Sequence, residues 1–235
     1  MACKRYLGVP IRTPNKMVYG ELGRFPLFVA SYGFAYCKWN TQDTIRLTEC
    51  LLVSLKMGRS WVTGIREVLC KIGFYFVWLQ QGVGDVKSFL CVFKRRLLDM
   101  FTQEWTVDIR DKVRNVTYRC FKKIFEAEKY LSDINIFCFR VALAQLRLGV
   151  RPINNNMYRY SDCPTNRNCV VCPGVVENED HFLLVCPLYT DFRNRFLVQK
   201  GARSLQDMLQ WKDTKRCLLL SKFTFHAMNR RKLYI

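Results

Sequence analysis

The sequence predicts an all-α protein: a multi-helix array, then a small loop rich in cysteine, then C-terminal helices. Three observations predict it. Apolar residues recur three and four apart through most of the chain, with little of the strict alternation of a half-buried strand. Glycine, proline and short polar residues fall where helices would start and stop. Three cysteines and one of the chain's two histidines crowd into residues 169–186.

Taken in order, Thr13 and Pro14 read as an N-cap and first helical residue, and Gly23 as a left-handed stop. Pro26 can open the next helix. Residues 41–58 place Leu47, Leu51 and Leu55 four apart, with Gly58 as the stop. Ser60 can cap a segment carrying Trp61, Ile65, Leu69 and Ile72 that runs out in QQGVG, read as a hinge. From Asp85 to about residue 125, Phe89, Val92, Phe93, Leu97, Met100 and Phe101 form a broad apolar stripe, with Lys94, Arg95 and Arg96 beside it. These aromatics are read as core rather than as platforms for bases.

A helix over about 128–149 aligns Phe139, Leu143, Leu146 and Val150, with Arg140, Arg147 and Arg151 on a second stripe about a quarter-turn round. When the apolar stripe docks, those arginines are expected to face solvent and to be the candidate phosphate contacts. Pro152 and the run NNN are expected to end that helix. The organisation expected is a helical region over 1–160, a Cys/His knuckle over 161–190 and basic C-terminal helices over 191–235.

Charge narrows the partners. The chain has 235 residues, and 38 Lys and Arg against 19 Asp and Glu give a formal net charge of +19. Such an excess draws polyanions, so the phosphate backbone of RNA or DNA is the expected partner. No run of 18 apolar residues and no apolar leader segment occurs, so neither a membrane span nor secretion is expected. In a reducing, intracellular setting, nuclear or cytoplasmic, scattered cysteines such as Cys50, Cys70, Cys91, Cys120 and Cys138 read as small buried hydrophobes.

The loop reads C-x2-C-x8-H-x4-C, giving Cys169, Cys172, His181 and Cys186. Two cysteines three apart can turn both sulfurs to one side, helped here by Pro173 and Gly174. Asp180 can cap a short helix from His181, and Pro187 limits its continuation past Cys186. Four such ligands complete a tetrahedron and select Zn²⁺; with no position left for water, the ion would be structural and would supply folding free energy. Cys163 is a weaker substitute ligand. His226 reads as filler on an amphipathic helix. No glycine-rich phosphate loop and no nucleophile–base pair is evident.

On these residues the chain resembles the C-terminal, post-polymerase region of reverse transcriptases from non-LTR (LINE-type) retrotransposons. The resemblance rests on TPNKMVYGELGRFPL at 13–27, on FRVALAQLRLGVRPINNNMYRY at 139–160 and on CVVCPGVVENEDHFLLVCPLY after it. It places the family's CCHC zinc ligands on Cys169, Cys172, His181 and Cys186. It implies a nucleic-acid-binding part of a larger enzyme, with the missing polymerase domain as a further partner. The palm signature Ala-Asp-Asp occurs nowhere, so no two-metal nucleotidyl transfer is expected from this chain. The endonuclease has no counterpart either. The expectation is therefore a non-enzymatic fragment or truncated reading frame. The alternatives are a zinc-stapled helical protein–protein adaptor and an inert retrotransposon remnant.

Overall fold

The structure, a computed structural model, describes residues 2–27, 29, 61–80, 83–111, 116–160, 166–197 and 204–235. The expected helix over 41–58, the Ser60 cap, Cys50 and Cys163 lie outside the described residues. The fold is all-α, and among the described residues the only extended pairings are two isolated bridges, Leu22 with Ala127 and Asn168 with Val176. The described helices are α1 (Ala2–Leu7), α2 (Asn15–Leu22), α3 (Trp61–Lys71), α4 (Tyr75–Gln80), α5 (Val86–Asp111), α6 (Val116–Phe121), α7 (Tyr130–Asp133), α8 (Phe137–Arg147) and α9 (Asn154–Tyr160). A π-helical turn (His181–Val185) and a 3-10 turn (Pro187–Tyr189) follow, then α10 (Thr190–Phe196), α11 (Leu205–Leu209) and α12 (Thr214–Arg231).

The chain divides into two compact units, one of residues 25–105 and one of residues 1–24 with 106–235. In neither does the division fall at 160 or 190, because the Cys/His loop is built into the second of these units rather than standing apart. The 25–105 unit has its own apolar cluster of Val29, Val68, Leu69, Ile72, Val77, Phe93 and Leu97. The stripe expected on α5 supplies Phe93, Leu97 and Phe101, all buried, whereas Val92 is exposed. Asp85 caps α5, accepting from the Lys87 amide at 3.0 Å. The segment after residue 60 is not one helix running to QQGVG; it stops at Lys71, turns through Gly73 and restarts at Tyr75.

In the other unit α12 is the centre. It packs on α8, α10 and α7, while α1 lies against α2 and α8. Leu143, Leu146, Leu220 and Phe223 are almost wholly buried between them. Gly23 ends α2 in the left-handed region, with φ +58°. A Cβ there would lie 2.2 Å from the Ala127 amide nitrogen, so only glycine permits this approach. The contact brings Glu21 beside residues 126–128, where the Glu128 amide donates to the Glu21 carbonyl at 3.1 Å.

Three local expectations are corrected. Thr13 does not cap α2: Pro14 holds the cap position without a side-chain bond, and Thr13 is buried. The helix expected over 128–149 is broken at residues 134–136, where Ile134 takes an extended backbone and buries its side chain. The run NNN starts α9 rather than ending a helix, because the Glu177 carboxylate accepts from the Asn154 amide at 2.7 Å. That cap comes from 23 residues downstream, and it meets an orphan donor of the first turn.

Candidate metal centre

The loop begins as a narrow ribbon. The Glu177 amide donates to the Arg167 carbonyl at 2.9 Å, and the Cys169 amide to the Val175 carbonyl at 2.7 Å. Gly174, at φ +72°, makes the reversal. The Val171 amide points at the Cys169 sulfur from 3.5 Å. On the far side, the Cys186 amide donates to the His181 carbonyl at 2.8 Å, which closes the π-helical turn. That wide turn swings Cys186 back toward the ribbon. The cap of this turn is Asn178, which accepts from the His181 amide at 2.8 Å; Asp180, the expected cap, makes no such bond.

These two pieces bring together the four residues expected from the spacing. One ligand atom from each of Cys169, Cys172, His181 and Cys186 lies within 4.8 Å of every other. The Cys169 and Cys186 sulfurs are 3.8 Å apart, far beyond the roughly 2.05 Å of a disulfide and within reach of one shared ion. Cys169, Cys186 and His181 are buried and Cys172 is partly so. The His181 Nε2 is enclosed without a hydrogen-bond partner, an arrangement that is costly unless something fills it. Burial pushes the Cys186 thiol up to about 12 and raises that of Cys172, with the Cys169 sulfur adding to both. Burial also lowers the His181 pKa, which keeps the imidazole neutral and able to ligate. The donor set suits a metal: three sulfurs too close together to be comfortable as anions, and one buried imidazole nitrogen.

Residues that the spacing did not reveal hold this cluster in the core. Arg193 donates to the carbonyls of Leu183 at 3.1 Å and Cys186 at 2.6 Å, fixing the end of the ligand turn. Glu177 sits between Cys172 and His181 in the chain and is completely buried. Arg231, in the last turn of α12, grips it from Nε at 2.7 Å and from a terminal nitrogen at 2.6 Å, and the same nitrogen donates to Asn154 Oδ1 at 2.6 Å. Phe182 lies 4.9 Å from the Tyr189 ring and 5.8 Å from that of Phe223 on α12. A carboxylate among ligands is a detectable signal, but its cation is 54 residues away.

The expected arginine stripe is corrected. Arg147 is 4 % exposed, and its guanidinium bonds Glu21 at 2.6 Å and Glu128 at 3.0 Å. It also donates to the Leu209 carbonyl and lies 4.5 Å over Phe121. Burial alone would lower its pKa, but the two carboxylates outweigh that and the net shift is upward. Arg151 is 6 % exposed. Arg140 is half-buried, stacked 4.9 Å over Tyr6 and 5.6 Å over Phe137. The physical reason is that other parts of the chain claim each side chain: Glu21 and Glu128 take Arg147, Gln145 and the Thr224 carbonyl on α12 take Arg151, and the rings of Tyr6 and Phe137 take Arg140. His226, expected to be filler, stacks on Phe196 with ring centroids 5.8 Å apart.

The fold and the cluster define an all-α protein with a buried three-cysteine, one-histidine site compatible with a metal ion. Comparison with protein-family models, curated proteins and solved structures finds no match. No described helix is long and apolar enough to cross a membrane.

Proposed function

We propose that the chain is a non-catalytic, zinc-stabilised, nucleic-acid-binding segment of the LINE-type reverse transcriptase kind. The observation that carries the reading is the cluster itself. Two Zn–S bonds of about 2.3 Å meeting at the tetrahedral angle separate their sulfurs by about 3.8 Å, and Cys169 and Cys186 are 3.8 Å apart. Sulfur and imidazole donors favour Zn²⁺, and four protein ligands leave no position for a reacting water. The ion would supply shape and stability, while Glu177, Arg193 and Arg231 orient the loops that present the ligands.

The charge supports a polyanionic partner. Among the described residues the core takes in nearly balanced charge, Lys122, Arg147, Arg151 and Arg231 against Glu21, Glu177 and Glu179. Burial therefore does not consume the basic excess, which stays with cations outside the core. Zinc-loaded protein titrated with single-stranded RNA and duplex DNA over a range of salt tests the reading. Expected is affinity that falls linearly in log–log form, each phosphate contact contributing a slope of about 0.7 to 0.9. Salt-independent binding, or none, would leave the helical adaptor as the better description.

A further inference from the structure

Of the buried cations among the described residues, Lys122 meets Glu128 and Arg147 meets Glu21 and Glu128, while Arg231 meets Glu177. Arg151 is different. Its guanidinium reaches only neutral acceptors, Gln145 Oε1 at 2.8 Å and the Thr224 carbonyl at 3.1 Å. Its Nε is buried with no partner. Burial lowers its pKa only to about 10, so it stays charged at neutral pH. A buried cation without a counter-charge opposes folding, and its presence asks for an anion that the described chain does not provide.

Arg151 lines a cleft of about 280 Å³ between α8 and α12. No carboxylate lines it. Gln145, Asn229 and Lys232 supply further polar groups, and Phe137, Phe225 and Met228 supply apolar walls. Phe137 is 55 % exposed, and Arg140 stacked at 5.6 Å steadies its ring. Lys232 is exposed just past the end of α12.

We propose that this cleft binds one nucleotide unit of a nucleic acid, its phosphate between Arg151 and Lys232 and its base against the apolar wall at Phe137 and Phe225. The assignment rests on the nucleic-acid reading above and gives it an address. A charge-assisted bond from a guanidinium supplies affinity, and an aromatic face accepts any base, so the site reads phosphate and stacking rather than sequence. Arg151 thus returns as a phosphate ligand, from inside a cleft rather than from a solvent-facing stripe.

Calorimetric titration of the zinc-loaded full chain with uridine 5′-monophosphate, uridine and inorganic phosphate tests the site. The monophosphate should bind more tightly than either part. Arg151→Met should weaken it by about tenfold or more and Lys232→Gln by less, as expected for a buried and an exposed charge-assisted contact. Lys212→Gln, on an exposed side chain outside the cleft, should leave it unchanged. Arg151→Met removes an unpaired charge and orphans no anion, so its thermal midpoint should hold or rise; Lys232→Gln serves if it does not. Monophosphate affinity that is undetectable in the millimolar range, no better than that of inorganic phosphate, or equal in both variants would overturn the site. With salt-dependent oligonucleotide binding intact, that result would spare the broader reading, whereas loss of oligonucleotide binding alone would count against the broader reading.

Discussion

Replacing Arg231 by methionine should unlatch the metal loop from the rest of its unit. Arg231 and Glu177 have side chains 5 % and 1 % exposed, so neither charge has water to fall back on. The substitution removes two bonds to Glu177 and one to Asn154. Glu177 keeps its bond from the Asn154 amide but becomes a buried anion without a cation. Breaking a buried pair from one side costs about 3 to 5 kcal/mol. For a chain of this size each kcal/mol moves the midpoint by about 2 to 4 °C, so a fall of about 10 °C is expected. Urea denaturation of the zinc-loaded protein, followed by circular dichroism, measures the free-energy loss, and a thermal melt measures the fall in midpoint. Adding Glu177→Gln should recover part of the loss, because the stranded charge is gone. A single-variant loss below about 1 kcal/mol, or a double variant that loses the sum of the two singles, would refute the reasoning.

Gly23→Ala should cost well over the about 1 kcal/mol typical of a left-handed alanine, because the added Cβ meets backbone at Ala127 2.2 Å away; thermal denaturation that shows a smaller change would place the α2 stop elsewhere. Cys217 is pushed up by burial to about 11 from 9.0. Its folded pKa lies above its unfolded one, so its contribution is complete below about pH 9 and is lost as pH rises through about 11; Cys217→Ala should flatten that part of the stability–pH curve, and equal curves would contradict it. Chelation should loosen more than the Cys/His loop itself, because Asn154 and Arg231 share Glu177 with the loop. Hydrogen exchange should therefore rise in α9 and at the end of α12 while α5 stays protected; exchange confined to the loop would contradict the link.

The Cys/His cluster was legible because the constraint is local: two cysteines three apart and a histidine in register are adjacent in the chain as well as in space. Long apolar stripes were legible for the same reason, and Phe93, Leu97, Leu143 and Leu146 are buried as the spacing predicts. What misled was chemistry supplied from a distance. Periodicity placed Arg147 beside the apolar face, but it carries no knowledge of Glu21, which lies 126 residues earlier and is held in place by the stop at Gly23. The NNN run looked like a terminator until Glu177 supplied its cap. Asp180 looked like the cap of the His181 turn, yet the wide π-helical turn puts Asn178 there. Charged residues with helical spacing read as a solvated face only when nothing else in the chain claims that face.

The proposed zinc site is closed by four protein ligands and acts on shape rather than chemistry. X-ray absorption at the zinc edge of protein reconstituted with one equivalent of Zn²⁺ tests it most directly. Three sulfur neighbours at about 2.3 Å and one nitrogen at about 2.0 to 2.1 Å are predicted, with the nitrogen lost in His181→Ala and one sulfur lost in Cys172→Ser. A chain that retains no zinc, a first shell of water oxygens, or a Cys169–Cys186 disulfide in protein kept reduced would contradict the account.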